Sequence, residues 1–361
     1  MRAHTAAVML LALVPVLLTP RIGSVCNDFS RCNWRELLEL RAPNRFSGLV
    51  ELANTGFDTA RPRPLTASWF GCGPGRAVCA AHAQQPPGIV DAYFLSNEVY
   101  FLTNRRANAI GVVTAEGIVL LDAMPAGWGR AVLNKLQDLT DMPVTAIINT
   151  HAHEDHAGAD AEYPDTSQIV MHENSARRLA RSAGAGKNLK TFSDHLPLTV
   201  GKRLLHVYYF GKGHTDGDAI VVIPDIKAAY VGDLVAAKAL PVVDRTSGGS
   251  ALALPDTLAR VAREITGVER VVTGHGRWPG TKPNTGGLQG WPAWKDFLEY
   301  AEFTRELVDT VTAAWKNGRT AGQVAAELRM PEKYKDYRLD GAKAMIETIF
   351  NELKRSPAPK R

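Results

Sequence analysis

The sequence predicts a mixed α/β fold: two β-sheets flanked by helices, followed by a helical C-terminal extension. Three observations lead there. From Val90 onward, short apolar runs and longer amphipathic segments come in two successive blocks, the order that two sheets with helices on their outer faces require. Several of the apolar runs end on a histidine or aspartate beside a glycine, so polar chemistry is delivered to a sheet edge. Beyond the last such residue the apolar spacing becomes helical.

Taken in order, Asp91 to Leu95 and Glu98 to Thr103 read as a hairpin around Ser96-Asn97. Ala109 to Thr114 and Ile118 to Asp122 read as another, with Glu116-Gly117 in its turn. Trp128 to Leu139 is expected to be a helix, followed by a strand from Val144 to Asn149. A strand from Ser167 to Met171 leads into a helix over Asn174 to Ser182, capped by Asn174 or Ser175. Strands follow at Leu204 to Phe210, Ala219 to Ile223, Ala229 to Gly232 and Val271 to Gly274. A helix over Leu254 to Ile265 precedes the last of these, started by Pro255-Asp256. Thr281 to Pro292, rich in Gly, Pro and Asn, reads as a loop placed to cover a cleft beside His275. Trp294 to Trp315 is helical in period, with Phe297, Ala301, Leu307 and Val311 on or near one stripe. Thr320 to Leu328 and Leu339 to Leu353 read as two further helices separated by Met330-Pro331. This tail is expected to cap the domain or to make an oligomer contact, with Tyr334 and Tyr337 in surface or packing roles. Ser356 to Arg361 is expected to be disordered.

The chain has 361 residues, of which 45% are hydrophobic, enough to bury a substantial core. Its net charge is +5 and no Lys/Arg run marks a nucleic-acid surface. The expected partner is a small molecule, with room for a homo-oligomer through the C-terminal helices. At the amino terminus, Arg2 and the apolar stretch Thr5 to Leu18 have the layout of a secretory signal, residues 1–19. The stretch is shorter than the ~20 residues of a membrane helix and Pro15 interrupts it. A secreted or periplasmic location is the expectation. Residues 20–88 are rich in Arg, Pro, Gly and Cys and lack periodicity. Ala80-Ala-His-Ala83 before Gln84-Gln85 itself resembles a signal cleavage site. Either the mature chain starts near Gln84, or the segment is a poorly ordered linker, or the start codon is incorrectly assigned. All four cysteines, Cys26, Cys32, Cys72 and Cys79, lie there, and two disulfides in any of three pairings are open to them. The α/β domain, expected over residues 89–285 before a helical extension over 286–361, has no cysteine and so needs no disulfide.

The chemistry concentrates in His151-Ala-His153-Glu-Asp155-His156, directly after the Val144 strand. His151 and His153 are two apart, so an extended chain puts them on one face. Asp155 and His156 come after the turn and can meet a second metal. His214 lies between two strands in Gly213-His-Thr-Asp-Gly-Asp218, Asp233 follows Gly232, and His275 sits between Gly274 and Gly276. Small neighbours permit close approach of backbone and metal. Imidazole and carboxylate suit zinc, and also iron or manganese. Five histidines and two aspartates are enough for two zinc ions with a shared carboxylate, and no cysteine nearby suggests a zinc finger.

The motif HxHxDH, then His, Asp and His, with Asp122 ending an earlier strand, resembles the metallo-β-lactamase superfamily over roughly Val90 to Gly280. The resemblance implies a four-layer αββα sandwich with the metals at one edge. It implies that His151, His153 and His214 hold one ion, that Asp155, His156 and His275 hold the other, and that Asp233 bridges them. A metal lowers the pKa of bound water from 15.7 to about 7, and Asp155 is placed to orient the nucleophile or pass a proton to the leaving group. Electron-transferring di-iron relatives put Glu where this chain has His153, which favours hydrolysis here. β-Lactamases of the superfamily tend to have Cys or Ser where this chain has Asp233. The ligand set looks more like that of hydroxyacylglutathione hydrolase, lactonases and related esterases, although the C-terminal helices show no specific match to the thiol-holding region of that hydrolase. The expectation is a dinuclear zinc-dependent hydrolase of a small ester, lactone, thioester or β-lactam. The alternative is a mononuclear iron dioxygenase acting on persulfides through the three-His site.

Other polar residues carry plainer expectations. Asp122 is expected to hydrogen-bond a ligand histidine, and Thr215 to do likewise. Asp216 and Asp218 read as turn residues. His172 reads as a surface residue or one that backs a ligand, His195 (in a loop) and His206 (in a strand) as packed or exposed residues, Lys212 as solvated, and Arg105-Arg106 as a turn.

Overall fold

Runs such as Gly117-Ile-Val-Leu-Leu121 are apolar on both faces, so a sheet built from them must be covered on both sides. The computed structural model, which describes residues 88–180, 188–276 and 288–355, satisfies that demand with two stacked sheets. The first sheet comprises β1 (Asp91–Ser96), β2 (Val99–Thr103), β3 (Asn108–Thr114), β4 (Gly117–Leu121), β5 (Val144–Ile148), β6 (Gln168–His172) and β7 (Leu189–Phe192), in that spatial order. Strands β1 to β4 form an antiparallel meander, and β4 to β7 are parallel. Parallel neighbours need crossovers. These contain α1 (Gly129–Gln137), α2 (Glu154–Ala157) and α3 (Glu173–Leu179). The second sheet has the order β12-β11-β10-β9-β8, from β8 (His195–Val200), β9 (Arg203–Tyr209), β10 (Ala219–Ile223), β11 (Ala228–Tyr230) and β12 (Arg270–Val272). Only β11 and β12 pair in parallel, and α4 (Leu254–Glu264) lies between them in the chain.

Alternation along the strands sorts the core into layers. Val119, Leu121 and Ile148 of the first sheet pack with Val207, Val221 and Tyr230 of the second. On the outer face of the first sheet, Ile118, Leu120 and Ile147 pack with Val132 and Leu136 of α1. On the outer face of the second, Ile220, Val222 and Ala229 pack with Leu258 and Val261 of α4. The same cluster takes in Phe303 and Leu307 of α5 (Trp294–Lys316), Val324 of α6 (Ala321–Glu327) and Ile346 and Ile349 of α7 (Ala342–Arg355). The result is a four-layer αββα sandwich with a helical C-terminal region packed on its second sheet. Tyr334 and Tyr337 are buried against Phe303, with the Tyr337 and Phe303 rings stacked at 4.2 Å. Among the described residues, no helix is long and apolar enough to cross a membrane.

Several local expectations are corrected. The first hairpin turns at Asn97-Glu98, where both residues have positive φ, one position later than the Ser96-Asn97 reading. Helix α3 begins at Glu173 and is capped by the His172 ring, which accepts from the Asn174 amide at 3.2 Å. Neither Asn174 nor Ser175 is the cap. His195 begins strand β8 and does not lie in a loop. The leader-like residues 1–19, the four cysteines, most of the 281–292 loop and residues 356–361 lie outside the described residues.

Candidate metal centre

Strand ends from both sheets meet at one edge, and each delivers a polar residue there. Asp122, directly after β4, is fully buried with φ +64°. Its carboxylate accepts from the Thr150 amide at 2.6 Å, the Thr150 hydroxyl and the Tyr230 hydroxyl at 2.7 Å. It also holds His156 Nδ1 at 2.8 Å. That contact turns His156 Nε2 inward, which is the positioning role expected of Asp122.

After β5 the chain enters the single turn of α2, which packs four ligand-type side chains into little space. His151 is buried, with Nδ1 3.0 Å from the Thr150 hydroxyl and Nε2 3.0 Å from His153 Nδ1. His153 occupies the position before α2, and its Nε2 is held by Asp244 Oδ2 at 2.9 Å. His214, in the β9–β10 connection, donates from Nδ1 to the Val242 carbonyl at 3.0 Å, leaving Nε2 3.0 Å from His153 Nδ1. Three nitrogens from two segments thus share one point.

A second group lies alongside. His275 Nε2 is 3.0 Å from Asp155 Oδ2 and 3.3 Å from His156 Nε2. Its Nδ1 donates to the Arg106 carbonyl. Asp233 spans the two groups: Oδ2 lies 3.0 Å from His275 Nε2, 3.7 Å from His214 Nε2 and 4.0 Å from His151 Nε2. Its Oδ1 is 3.4 Å from His156 Nε2 and is buried without a hydrogen bond. All seven expected residues are therefore brought together, in three overlapping groups of donor atoms: His151, His153 and His214; His151, His156 and Asp233; Asp155, His156 and His275.

The set fits divalent cations. Ligand atoms 2.0–2.1 Å from a tetrahedral ion stand about 3.3 Å apart, close to the spacings here. In every one of the five rings a protein oxygen occupies the nitrogen that faces away from the cluster. Burial, reinforced by neighbouring imidazoles, holds His151 well below the usual histidine range, so its lone pair is free. Burial resists charge on Asp233, but the neighbouring His156 and His275 imidazoles overcome it and hold the carboxyl well below its ordinary range. Asp155 and then Asp233 push His275 up to about 10. Gly232 and Gly274 make the crowding possible. Gly232 has φ +52° and a Cβ there would come 2.7 Å from Thr150 Oγ1. A Cβ on Gly274 would collide with Asp233 Oδ1 and lie 2.7 Å from His156 Cε1.

Other expected residues stay outside the cluster. The Thr215 hydroxyl donates to Asp218, not to a histidine, because Asp218 closes the turn by also accepting the Thr215 amide. Asp216 is bound by Arg178 through two nitrogens. His172 is buried and stacked on Tyr209 at 3.8 Å. His195 stacks on Tyr208 and sits 3.1 Å from His206. Lys212 is exposed, and Arg105-Arg106 lies in the bend between β2 and β3. Sequence reasoning missed Asp244 and Tyr230. The available signal for Asp244 was Asp-Arg-Thr-Ser, a turn in which Asp244 accepts from the Thr246 amide at 2.8 Å.

Residues 102–275 match the family model described as the metallo-β-lactamase superfamily. They form a metallo-β-lactamase superfamily domain. The chain is 26% identical over 185 residues to metallo-beta-lactamase type 2 of Elizabethkingia meningoseptica, covering 49% of this chain and 71% of that one. It is 23% identical over 179 residues to metallo-beta-lactamase IND-1 of Chryseobacterium indologenes, covering 48% and 73%. The sec-alkylsulfatase Pisa1 from Pseudomonas sp. shares the fold with a TM-score of 0.59 at 15% identity, over 75% of this chain and 52% of that one. Metallo-β-lactamase superfamily relatives are metal-dependent hydrolases, and this chain is an enzyme of that class.

Proposed function

We propose that the chain is a dinuclear zinc-dependent hydrolase of a small ester, lactone, thioester or β-lactam. The observation that carries this reading is the position of Asp233, within 4.0 Å of donor nitrogens from both histidine groups. His151, His153 and His214 would hold one ion, Asp155, His156 and His275 the other, and Asp233 both. Zinc bound there supplies Lewis acidity and brings the pKa of water from 15.7 to about 7. The protein's own part is to fix and to relay. Asp122 and Asp244 lock the rings of His156 and His153 by accepting from their outer nitrogens. Asp155 is about one-third exposed, and its Oδ2 faces the cluster. From there it orients the attacking water and passes the proton to the leaving group. The relatives named as β-lactamases keep β-lactams in the substrate set, while the Asp233 carboxylate favours the ester and thioester side of it.

Asp155→Ala tests the reading. Turnover of a panel of lactones, thioesters, esters and β-lactams by the zinc-loaded protein should disappear in the variant, with the thermal transition retained. A variant that keeps its turnover would overturn the assignment of Asp155.

A further inference from the structure

A cavity of about 460 Å³ opens beside the metal centre, within the size range of small-molecule sites. Asp233 and His275 are among its lining residues. One wall is apolar, built from Val235, Ala236, Leu240 and Val242 on the connection between β11 and α4. Val242 is 58% exposed, and its carbonyl accepts from His214 Nδ1 at 3.0 Å, which fixes the backbone of this apolar lining residue beside the metal-ligand cluster. The rim also carries Arg338 and Asp340 from the segment between α6 and α7. That segment is stitched to the wall: the Arg338 amide donates to the Lys238 carbonyl at 3.0 Å, and Arg338 bridges Ala239.

The Arg338 guanidinium has no hydrogen-bond or ion-pair partner among the described residues. Arg178, Arg203, Arg260, Arg305 and Arg319 all bind a carboxylate. A guanidinium offers five donors in a planar fork that matches an oxyanion. We propose that Arg338 is a specificity-determining residue that binds one oxyanion of the substrate, a carboxylate or sulfonate, while the substrate's apolar body lies along the Val235 to Val242 wall. The inference rests on the hydrolase reading and names its substrate class: an ester with an aliphatic body and a single negative charge remote from the scissile bond. Asp340 shares the rim and repels a second negative charge, so monoanions are favoured over dianions.

The test pairs p-nitrophenyl esters of equal chain length, with neutral, carboxylate and sulfonate ends, on the zinc-loaded protein. The anionic esters should show the higher kcat/KM by about tenfold, expressed in KM, as a charge-assisted contact at an open rim supports. Arg338→Ala should abolish that ratio, Arg338→Lys should restore part of it, and Asp340→Asn should increase it. Titration calorimetry of the metal-free protein with octanesulfonate and octanoate gives a readout independent of turnover. Both should bind, about tenfold more weakly to Arg338→Ala, and the two arms separate sulfonate from carboxylate preference. Equal rates on neutral and charged esters, or a charge preference that survives in Arg338→Ala, would overturn the role of Arg338 and leave the hydrolase intact. Arg338-dependent anion binding with no ester turned over would instead reject the hydrolase reading while supporting the contact.

Discussion

Asp160 shows what a single buried carboxyl does in this fold. It is 4% exposed, one oxygen accepts from Asn149 Nδ2 at 2.7 Å, and the other has no partner. Burial pushes its pKa from 3.8 to about 7, with the Asp122 charge adding to the rise. A raised carboxyl pKa means the fold prefers the neutral form. Its contribution to stability is complete below pH 3.8 and is lost as pH climbs to about 7. Asp160→Asn keeps the acceptor and removes the titration. The melting temperature of the variant should therefore gain on that of the native protein between pH 4 and 7 and keep a constant lead above. A constant difference across that range would contradict the burial argument. At this scale the sequence was most legible for the clustering of candidate ligands, because His151, His153, Asp155, His156, His214, Asp233 and His275 announce themselves by residue type and spacing. Asp244 and Arg338 do not. They sit on connecting segments whose paths are set by tertiary contacts, and a lone Asp or Arg carries no periodic signal.

Among elements, α7 has a part in the site that its amphipathic pattern does not announce. Its Glu352 carboxylate accepts from the Ser250 hydroxyl at 2.6 Å and from the amides of Ala251 and Leu252 at 2.9 and 3.2 Å. The turn it holds is bound to the ligand segments: the Ser250 amide donates to Gly213, the Gly249 amide to Asp244, and the Asp244 amide to the His214 carbonyl. Glu352→Ala leaves these part-buried donors unmatched, which costs about 2 kcal/mol. Chemical denaturation should report that loss, and zinc affinity at the three-histidine group should fall with it. Unchanged zinc affinity in a destabilised variant would confine Glu352 to a packing role. Helix α5 was readable from its length and period, and β4 from its short unbroken apolar run. Strands β7 and β8 were not, since Leu-Lys-Thr-Phe and His-Leu-Pro-Leu-Thr-Val are half-polar edge segments that pairing alone defines. The cap of α3 was misread because a histidine replaced the expected small polar residue.

At the scale of the whole molecule, the sandwich exists to hold one edge. Asp122, the His151 turn and Asp233 come from the ends of parallel or central strands, where ligand residues of layered α/β folds collect. Burying His151, His156 and His214 beside Asp122 and Asp233 is costly unless cations balance the carboxylates, so metal content is the sharpest measure of the account. Elemental analysis of the purified, metal-replete protein, repeated for Asp233→Ala, measures it directly. The account predicts two zinc ions per chain in the native protein and loss of at least one in the variant. A single iron per chain, undisturbed by replacing Asp233, would contradict it.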